Sequence, residues 1–400
     1  MKLDDSETIQ DLEEMLSAYL KQIQILRAEQ INTTKFLQEK GALLQGIWAA
    51  SCDAIAYPRL YPIIVELYDI LHYPVHTLGL WSQIKKFYEE IGLKAALGSA
   101  QFRYAGRFLT YIGVIKANQD DPTGALDYLN QAAELLTKIT DDPKAREDHG
   151  AVLFHLCSAL NDLGRYAEVI ETGKVALQVC RAIGRWDTEA FTLGQIGNAY
   201  ARLGNFAKAE ELYLQTAEIW EAHPEKGYLR HITYYHLGRI NLIKSNYKKA
   251  REFLRQSIEI KQEVGELKEG LAHCTVQLGI ACAKLGDYQE ALYNFDSVNR
   301  IIKEELFDVR AMAELGYGYA LVAIGQQKYS EGFLLLQSAL AQIGQQRFPD
   351  LKIQLALYLA KLALFRINLK MLRYAFHSLV EVLLEQPSIS LTASRFIFKR

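Results

Sequence analysis

Apolar residues in the middle of the chain recur at steps of three and four, interrupted by short polar turns. Between 191 and 203 they fall at Leu193, Ile196, Tyr200 and Leu203, the stripe of an amphipathic helix. A Gly-Asn-Phe turn occupies 204–206, and a second stripe follows through Ala209 and Tyr213. The stretch NAYARLGNFAKAEELY (198–213) therefore predicts two helices joined by a tight turn.

The pattern repeats. Around Gly204, small or aromatic residues stand at Gly197, Phe206, Ala209 and Tyr213. The same offsets from Gly286 give Gly279, Tyr288, Ala291 and Phe295, and from Ser245 they give Gly238, Tyr247, Ala250 and Leu254. Gly164 anchors a looser copy, so the anchors 164, 204, 245 and 286 are 40, 41 and 41 residues apart. Weaker copies extend outward from Asp120 and Gly325, the latter with about two extra residues in its turn, and degenerate end members surround Gly79 and Lys370. About eight helical hairpins are expected over 58–386. In each, the first helix offers a small residue to its partner, the anchor ends that helix, and the second helix supplies an alanine and an aromatic. A lone hairpin cannot bury its apolar faces, whereas stacked hairpins share a continuous core.

These positions resemble the tetratricopeptide repeat, whose small residue, turn glycine, Tyr/Phe, Ala and aromatic are matched by Gly197, Gly204, Phe206, Ala209 and Tyr213, and again by Gly279, Gly286, Tyr288, Ala291 and Phe295. The period of about 41 exceeds the usual 34, similar to the long repeats of kinesin light chains, LGN-type scaffolds and bacterial STAND sensor arrays. The joint ALQVCRAIGRWDTEAF (176–191) is similar to the bacterial ones. Two departures stand out: Ser245 replaces the turn glycine, and no proline closes the units. The resemblance implies an all-α fold, a right-handed superhelical solenoid of antiparallel helix pairs. It also implies a concave groove lined by the first helices. The groove positions then carry Arg107 and Thr110; Phe154, Ser158, Asn161 and Asp162; Phe191, Asn198 and Arg202; Ile232, Tyr235 and Arg239; His273 and Lys284; and Tyr319. Arg and Asn there suit a peptide backbone or carboxylate, and the aromatics suit anchoring.

Residues 1–57 fall outside the repeat. ETIQDLEEMLSAYLKQIQILRAEQI (7–31) reads as one amphipathic helix through Leu12, Leu16, Ile23 and Leu26, and TKFLQEKGALLQGIWAAS (34–51) as a second. They form either an N-terminal helical cap or a surface for a partner's helices. Residues 387–400 form a short basic tail.

Composition narrows the function. Lys plus Arg number 45 against 47 Asp plus Glu, a net charge of −2, which gives no footprint for nucleic acid. Five dispersed cysteines without a Cys-x-x-Cys read as reduced and buried. The acidic N-terminus lacks a signal h-region, and LALYLAKLALF (355–365) is too short to span a bilayer. A cytoplasmic protein without membrane insertion is expected. ETGKVAL (171–177) has Glu168 and Val175 where a phosphate loop needs Gly and Ser/Thr. The glycines of 315–325 miss the dinucleotide spacing. His72 and His76 are separated by Pro74 and have no third ligand nearby, and no Gly-x-Ser-x-Gly elbow occurs. No enzyme, cofactor or metal is expected.

What remains is a scaffold that binds another protein or a peptide in its groove, in bacterial signalling or complex assembly. The alternative is a peptide-sensing regulator like the Rap proteins, acting on a response regulator. A third reading is the detached sensor arm of a STAND ATPase. Neither the partner's identity nor the oligomeric state follows from the residues.

Overall fold

A computed structural model describes residues 5–28, 41–77, 85–119, 121–223, 229–264, 268–304, 309–343 and 349–366, with five positions between 374 and 380. Among these residues the fold is all-α. The chain forms two compact units, Met1–Ala199 and Tyr200–Arg400.

In the first unit, α1 (Asp5–Ala28) and α2 (Gly41–Ala54) lead through a 3-10 turn (Pro58–Leu60) into α3 (Tyr61–Thr77). A π-helical segment (Phe87–Gly92) runs into α4 (Leu93–Gly98). Then come α5 (Phe102–Asn118), α6 (Pro122–Thr137), α7 (Pro143–Asp162), α8 (Tyr166–Ala182) and α9 (Trp186–Arg202), whose last turn enters the second unit. Leu12, Leu16 and Ile23 of α1 and Ile47 of α2 are buried against α3 in one core with Tyr68, Tyr88 and Phe108, so the N-terminal pair packs as its apolar stripe demands. Residues 29–40, which hold the end of the first expected helix and the start of the second, lie outside the described residues, as do the side chains of Leu26, His72 and His76.

The second unit continues with α10 (Phe206–Ala222), α11 (Arg230–Ile243), α12 (Tyr247–Val264), α13 (Lys268–Leu285), α14 (Tyr288–Glu304), α15 (Val309–Gly325), α16 (Tyr329–Ile343) and α17 (Pro349–Arg366). Helices pair as hairpins, α5 with α6, α7 with α8, α11 with α12, α13 with α14 and α15 with α16. First helices also touch one another in succession: α5 with α7, α11 with α13, and α13 with α15.

The hairpins close as the small-residue pattern predicts. A Cβ placed on Gly113, Gly238 or Gly279 would lie 2.7, 2.5 or 2.3 Å from Leu129, Leu254 or Phe295, the residue sixteen further on in the partner helix. Close approach, rather than flexibility, accounts for these glycines. At Gly173 the gap is filled by Ile196 at 2.5 Å, so the Gly-Lys of ETGKVAL is a packing feature inside α8.

The turns carry a correction. Gly164, Gly204 and Gly286 hold φ of 72°, 76° and 84°, as helix-ending glycines do. Each turn is closed by the next residue's N–H reaching back five positions, as Asn205 does to Tyr200 O at 2.8 Å. Ser245 takes φ 62° in the same role, although a side chain disfavours that region by about 1–2 kcal/mol. In the following repeat the left-handed residue is Gln327, φ 65°, with Lys328 N–H on Ala323 O at 2.8 Å. Gly325 is helical, and its missing Cβ makes room for the Tyr288 hydroxyl. The anchor therefore lies 41 residues after Gly286 with no lengthened turn. The expected anchors Gly79, Asp120 and Lys370 lie outside the described residues.

Candidate functional site

In the first unit the face made by α7 and α9 joins side chains in rungs. Phe154 and Phe191 pair with ring centroids 5.4 Å apart. Two turns further along α7, Asn161 Nδ2 donates to Gln195 O at 3.0 Å and to Gln195 Oε1 at 2.8 Å, while Asn161 Oδ1 is buried without a donor. These residues are half-buried, outside the core positions Leu153, Leu156 and Leu160 of the same helix. Asn198, one turn after Gly194 on α9, is half-buried too. Three of the expected groove residues are thus brought together, and Gln195 joins them unforeseen. It lies one turn beyond Phe191, a same-face spacing that would have found it.

Arg107 is engaged with its own unit. Its Nε donates to Asp69 Oδ1 at 2.6 Å, Nη1 to Asp148 Oδ1 at 2.8 Å and Nη2 to the Tyr111 hydroxyl at 2.6 Å. Arg103 meets Asp148 at 2.6 Å. Burial opposes the Arg107 charge, but Tyr111, Asp69 and Asp148 outweigh it and hold the guanidinium above its usual range. Burial in turn pushes the Asp148 carboxyl up, against Arg107 and Arg103. This network ties α3, α5 and α7 together along one line of first helices.

In the second unit, His236 stacks on Tyr213 with centroids 5.1 Å apart and planes 9° from parallel. Arg239 lies over the Tyr235 ring at 5.6 Å. Burial, then the charges of Arg239 and Arg202, push the His236 imidazolium down to about 3, so this ring is neutral at physiological pH. His273 faces Glu314 at 3.9 Å, and Glu314, 5% exposed, accepts from Gln277 Nε2 at 2.8 Å. Lys284 donates to the Tyr358 hydroxyl, with its ammonium 4.3 Å from that ring's centroid and 5.9 Å from Tyr317's.

The two-residue error of register explains what was missed here. Counting from Gln327, the offsets that were read as groove positions fall in α15 on Glu314 and Tyr317 rather than on Tyr319. Tyr319 instead turns to α14, donating to Asp296 Oδ1 at 2.8 Å and accepting from Asn299 Nδ2 at 2.6 Å. Glu314 lies 41 residues after His273, and Tyr358 lies 41 after Tyr317, so the repeat period itself would have found both.

Among the described residues, no group of three His, Cys, Asp or Glu side chains could hold a metal ion. Burial pushes the Cys157 and Cys282 thiols up to about 12 and that of Cys180 to about 11, leaving little thiolate for nucleophilic chemistry.

Residues 148–222 and 229–302 match the family model described as tetratricopeptide repeat. These two spans carry tetratricopeptide repeats. The matched span covers α7 through α14, and the same helical pairing continues into α15 and α16. The outer dynein arm-docking complex subunit 4 of Danio rerio is 26% identical over 173 residues, 42% of this chain and 35% of that protein. The chain thus spans about a third of that relative's length. Among solved structures, the apo form of the quorum sensor NprR from B. thuringiensis superposes with a TM-score of 0.58 at 15% identity, over 94% of this chain and 99% of that one. NprR in complex with its cognate peptide NprX gives 0.56 at 16%, over 94% and 98%. A Rap protein complexed with Competence and Sporulation Factor gives 0.57 at 14%, over 93% and 98%. At these identities the likeness is one of fold. No described helix of this repeat protein is long and apolar enough to cross a membrane.

Proposed function

We propose that this tetratricopeptide-repeat protein is a non-enzymatic scaffold that captures a peptide or a partner's helix on the face lined by its first helices, in bacterial signalling or complex assembly within the cytoplasm. The carrying observation is the pair of rungs between α7 and α9. Phe154 and Phe191 present partly exposed aromatic surface beside the carboxamides of Asn161 and Gln195. Half-buried aromatics are the residues that anchor interfaces, and carboxamides match the alternating donors and acceptors of a peptide backbone. Asn198 and Arg202 extend the same reading along α9, and Tyr235, Arg239, His273 and Lys284 carry it in the second unit. The complex named for the Danio rerio relative is an assembly, which supports the scaffold class. We take residues 1–57 as a cap, since α1 spends its apolar stripe on its own unit.

The test is affinity capture from the native host with the wild type and with Phe154→Ala/Asn161→Ala. A specific partner should be retained by the wild type and reduced about tenfold in the double variant, the loss of one to two kcal/mol expected of a hot-spot residue. Equal retention by a variant with an unchanged circular dichroism spectrum refutes the assignment of this face.

A second reading is favoured by the extent of the likeness to NprR and Rap, which covers nearly the whole chain. In it, the groove senses a peptide and the N-terminal helices act on a response regulator. A phosphorylated receiver domain that loses phosphate at the same rate with and without the protein removes the phosphatase form of this reading.

A further inference from the structure

The half-buried Lys284 ammonium has no carboxylate within ion-pair distance among the described residues. By contrast, Arg107 is compensated by Asp69 and Asp148, and Lys244 by Glu210. A cation withdrawn from water without a counter-charge is costly unless something else supplies one. The groups around Lys284 are Tyr317 of α15 and Tyr358 and Lys361 of α17. Lys361 brings a second positive charge, its ammonium 5.9 Å from the Tyr358 ring centroid. The two π faces offset part of the cost, but they carry no net charge. Tyr358 accepts from Lys284 and so keeps its own O–H to donate. Two ammonium groups and a phenol therefore converge where no described residue offers an anion.

We propose that Lys284, Lys361 and Tyr358 form a binding site for an oxyanion, a carboxylate or a phosphate group, carried by a partner seated on this face; the assignment rests on reading that face as an interaction surface. The ammonium of Lys284 holds one oxygen from the buried side, Lys361 neutralises it from the solvent side, and the Tyr358 hydroxyl orients it. Specificity follows from the aromatic walls, which exclude water from Lys284 and strengthen each charge-assisted hydrogen bond.

The test uses the full chain with 13Cε-labelled lysine, the Lys284 signal being assigned by its loss in Lys284→Arg. Burial and then Lys361 depress the Lys284 ammonium to about 8, which gives its signal a distinct titration. Sodium acetate and inorganic phosphate, each at about 50 mM, are compared with sodium chloride at matched ionic strength; an anion that prefers the charged amine about threefold raises the midpoint by roughly half a pH unit. We expect such a rise with at least one probe, the larger response identifying the site as one for carboxylate or for phosphate. In Lys361→Met the midpoint should start higher and respond less than half as much. Midpoints equal to the chloride value with both probes, or an undiminished response in Lys361→Met, overturn the proposal. Partner capture reports separately: a flat titration with intact capture removes the oxyanion site alone, whereas an anion response without any captured partner removes the interaction reading.

Discussion

The Phe295 ring packs against two glycines, and that geometry makes Gly279→Ala a sharp test of how the hairpins interlock. A Cβ on Gly279 would lie 2.3 Å from one ring carbon and 2.8 Å from two others; a Cβ on Gly318 of α15 would lie 2.3 and 2.6 Å from the same ring. Ordinary carbon contacts begin near 3.5 Å, so the added methyl overlaps the ring by about 1 Å. The ring is fully buried, and Gly318 on α15 approaches it as closely as Gly279 does, which leaves it little room to shift. Overpacking of this kind costs about 1–3 kcal/mol, and the close packing of α15 on the same ring places it at the upper end. Alanine regains about 1 kcal/mol of helix propensity over glycine, leaving a net loss of about 2 kcal/mol. Gly194→Ala is the control: it too is helical, but no atom lies within 4 Å of its Cβ position, so propensity acts alone and stability rises by up to about 1 kcal/mol. Urea unfolding followed by circular dichroism reads both, each in the transition of its own unit, since repeat arrays need not melt as one. Phe295→Leu in the Gly279→Ala background should restore at least about 1 kcal/mol relative to additivity, the coupling expected of touching residues. If Gly279→Ala is as stable as the wild type while Gly194→Ala gains as expected, the interlock does not limit packing and the reasoning fails.

Three further outcomes follow from the same geometry. Ser245→Gly should stabilise by roughly 0.5 kcal/mol, because relief of about 1–2 kcal/mol of left-handed strain exceeds the added unfolded-state entropy, and Gly286→Ser should destabilise; the two urea midpoints moving the same way would refute this. His236 should make the second unit acid-sensitive. Its folded value near 3 lies below the ordinary 6.5, so its contribution is complete above pH 6.5 and is lost as pH falls toward 3, at up to about 1.4 kcal/mol per pH unit. His236→Phe should flatten that slope, and an unchanged slope would show that other groups carry it. Arg107→Ala should cost about 2–4 kcal/mol by leaving Asp69 and Asp148 partly buried without their shared cation, whereas Arg165→Ala, which removes an exposed pair with Glu168, should leave the same melt nearly unchanged.

The repeat period is local information, and it was legible in the residues. Gly164, Gly204 and Gly286 end their helices because a residue without Cβ alone enters the left-handed region cheaply, and Gly238 with Leu254 or Gly279 with Phe295 announces a hairpin through a fixed spacing. Helix type, period, pairing and the α1 stripe all follow from such short-range patterns. The same reliance on glycine misled at the last turn. Gly325 drew the anchor, whereas the chain turns at Gln327, and the two-residue slip put Tyr319 at offsets that belong to Glu314 and Tyr317. Backbone closure decided that turn through Lys328 N–H to Ala323 O, a bond that no side-chain identity encodes. Whether a groove cation is spent internally was likewise beyond the sequence. Arg107 meets Asp69 and Asp148, and Lys284 meets Tyr358, only because stacking brings helices 38, 41 and 74 residues apart into contact. Charge and hydrogen-bond partners are set by distance in space, which the period constrains from one repeat to the next but which only the packed chain makes definite.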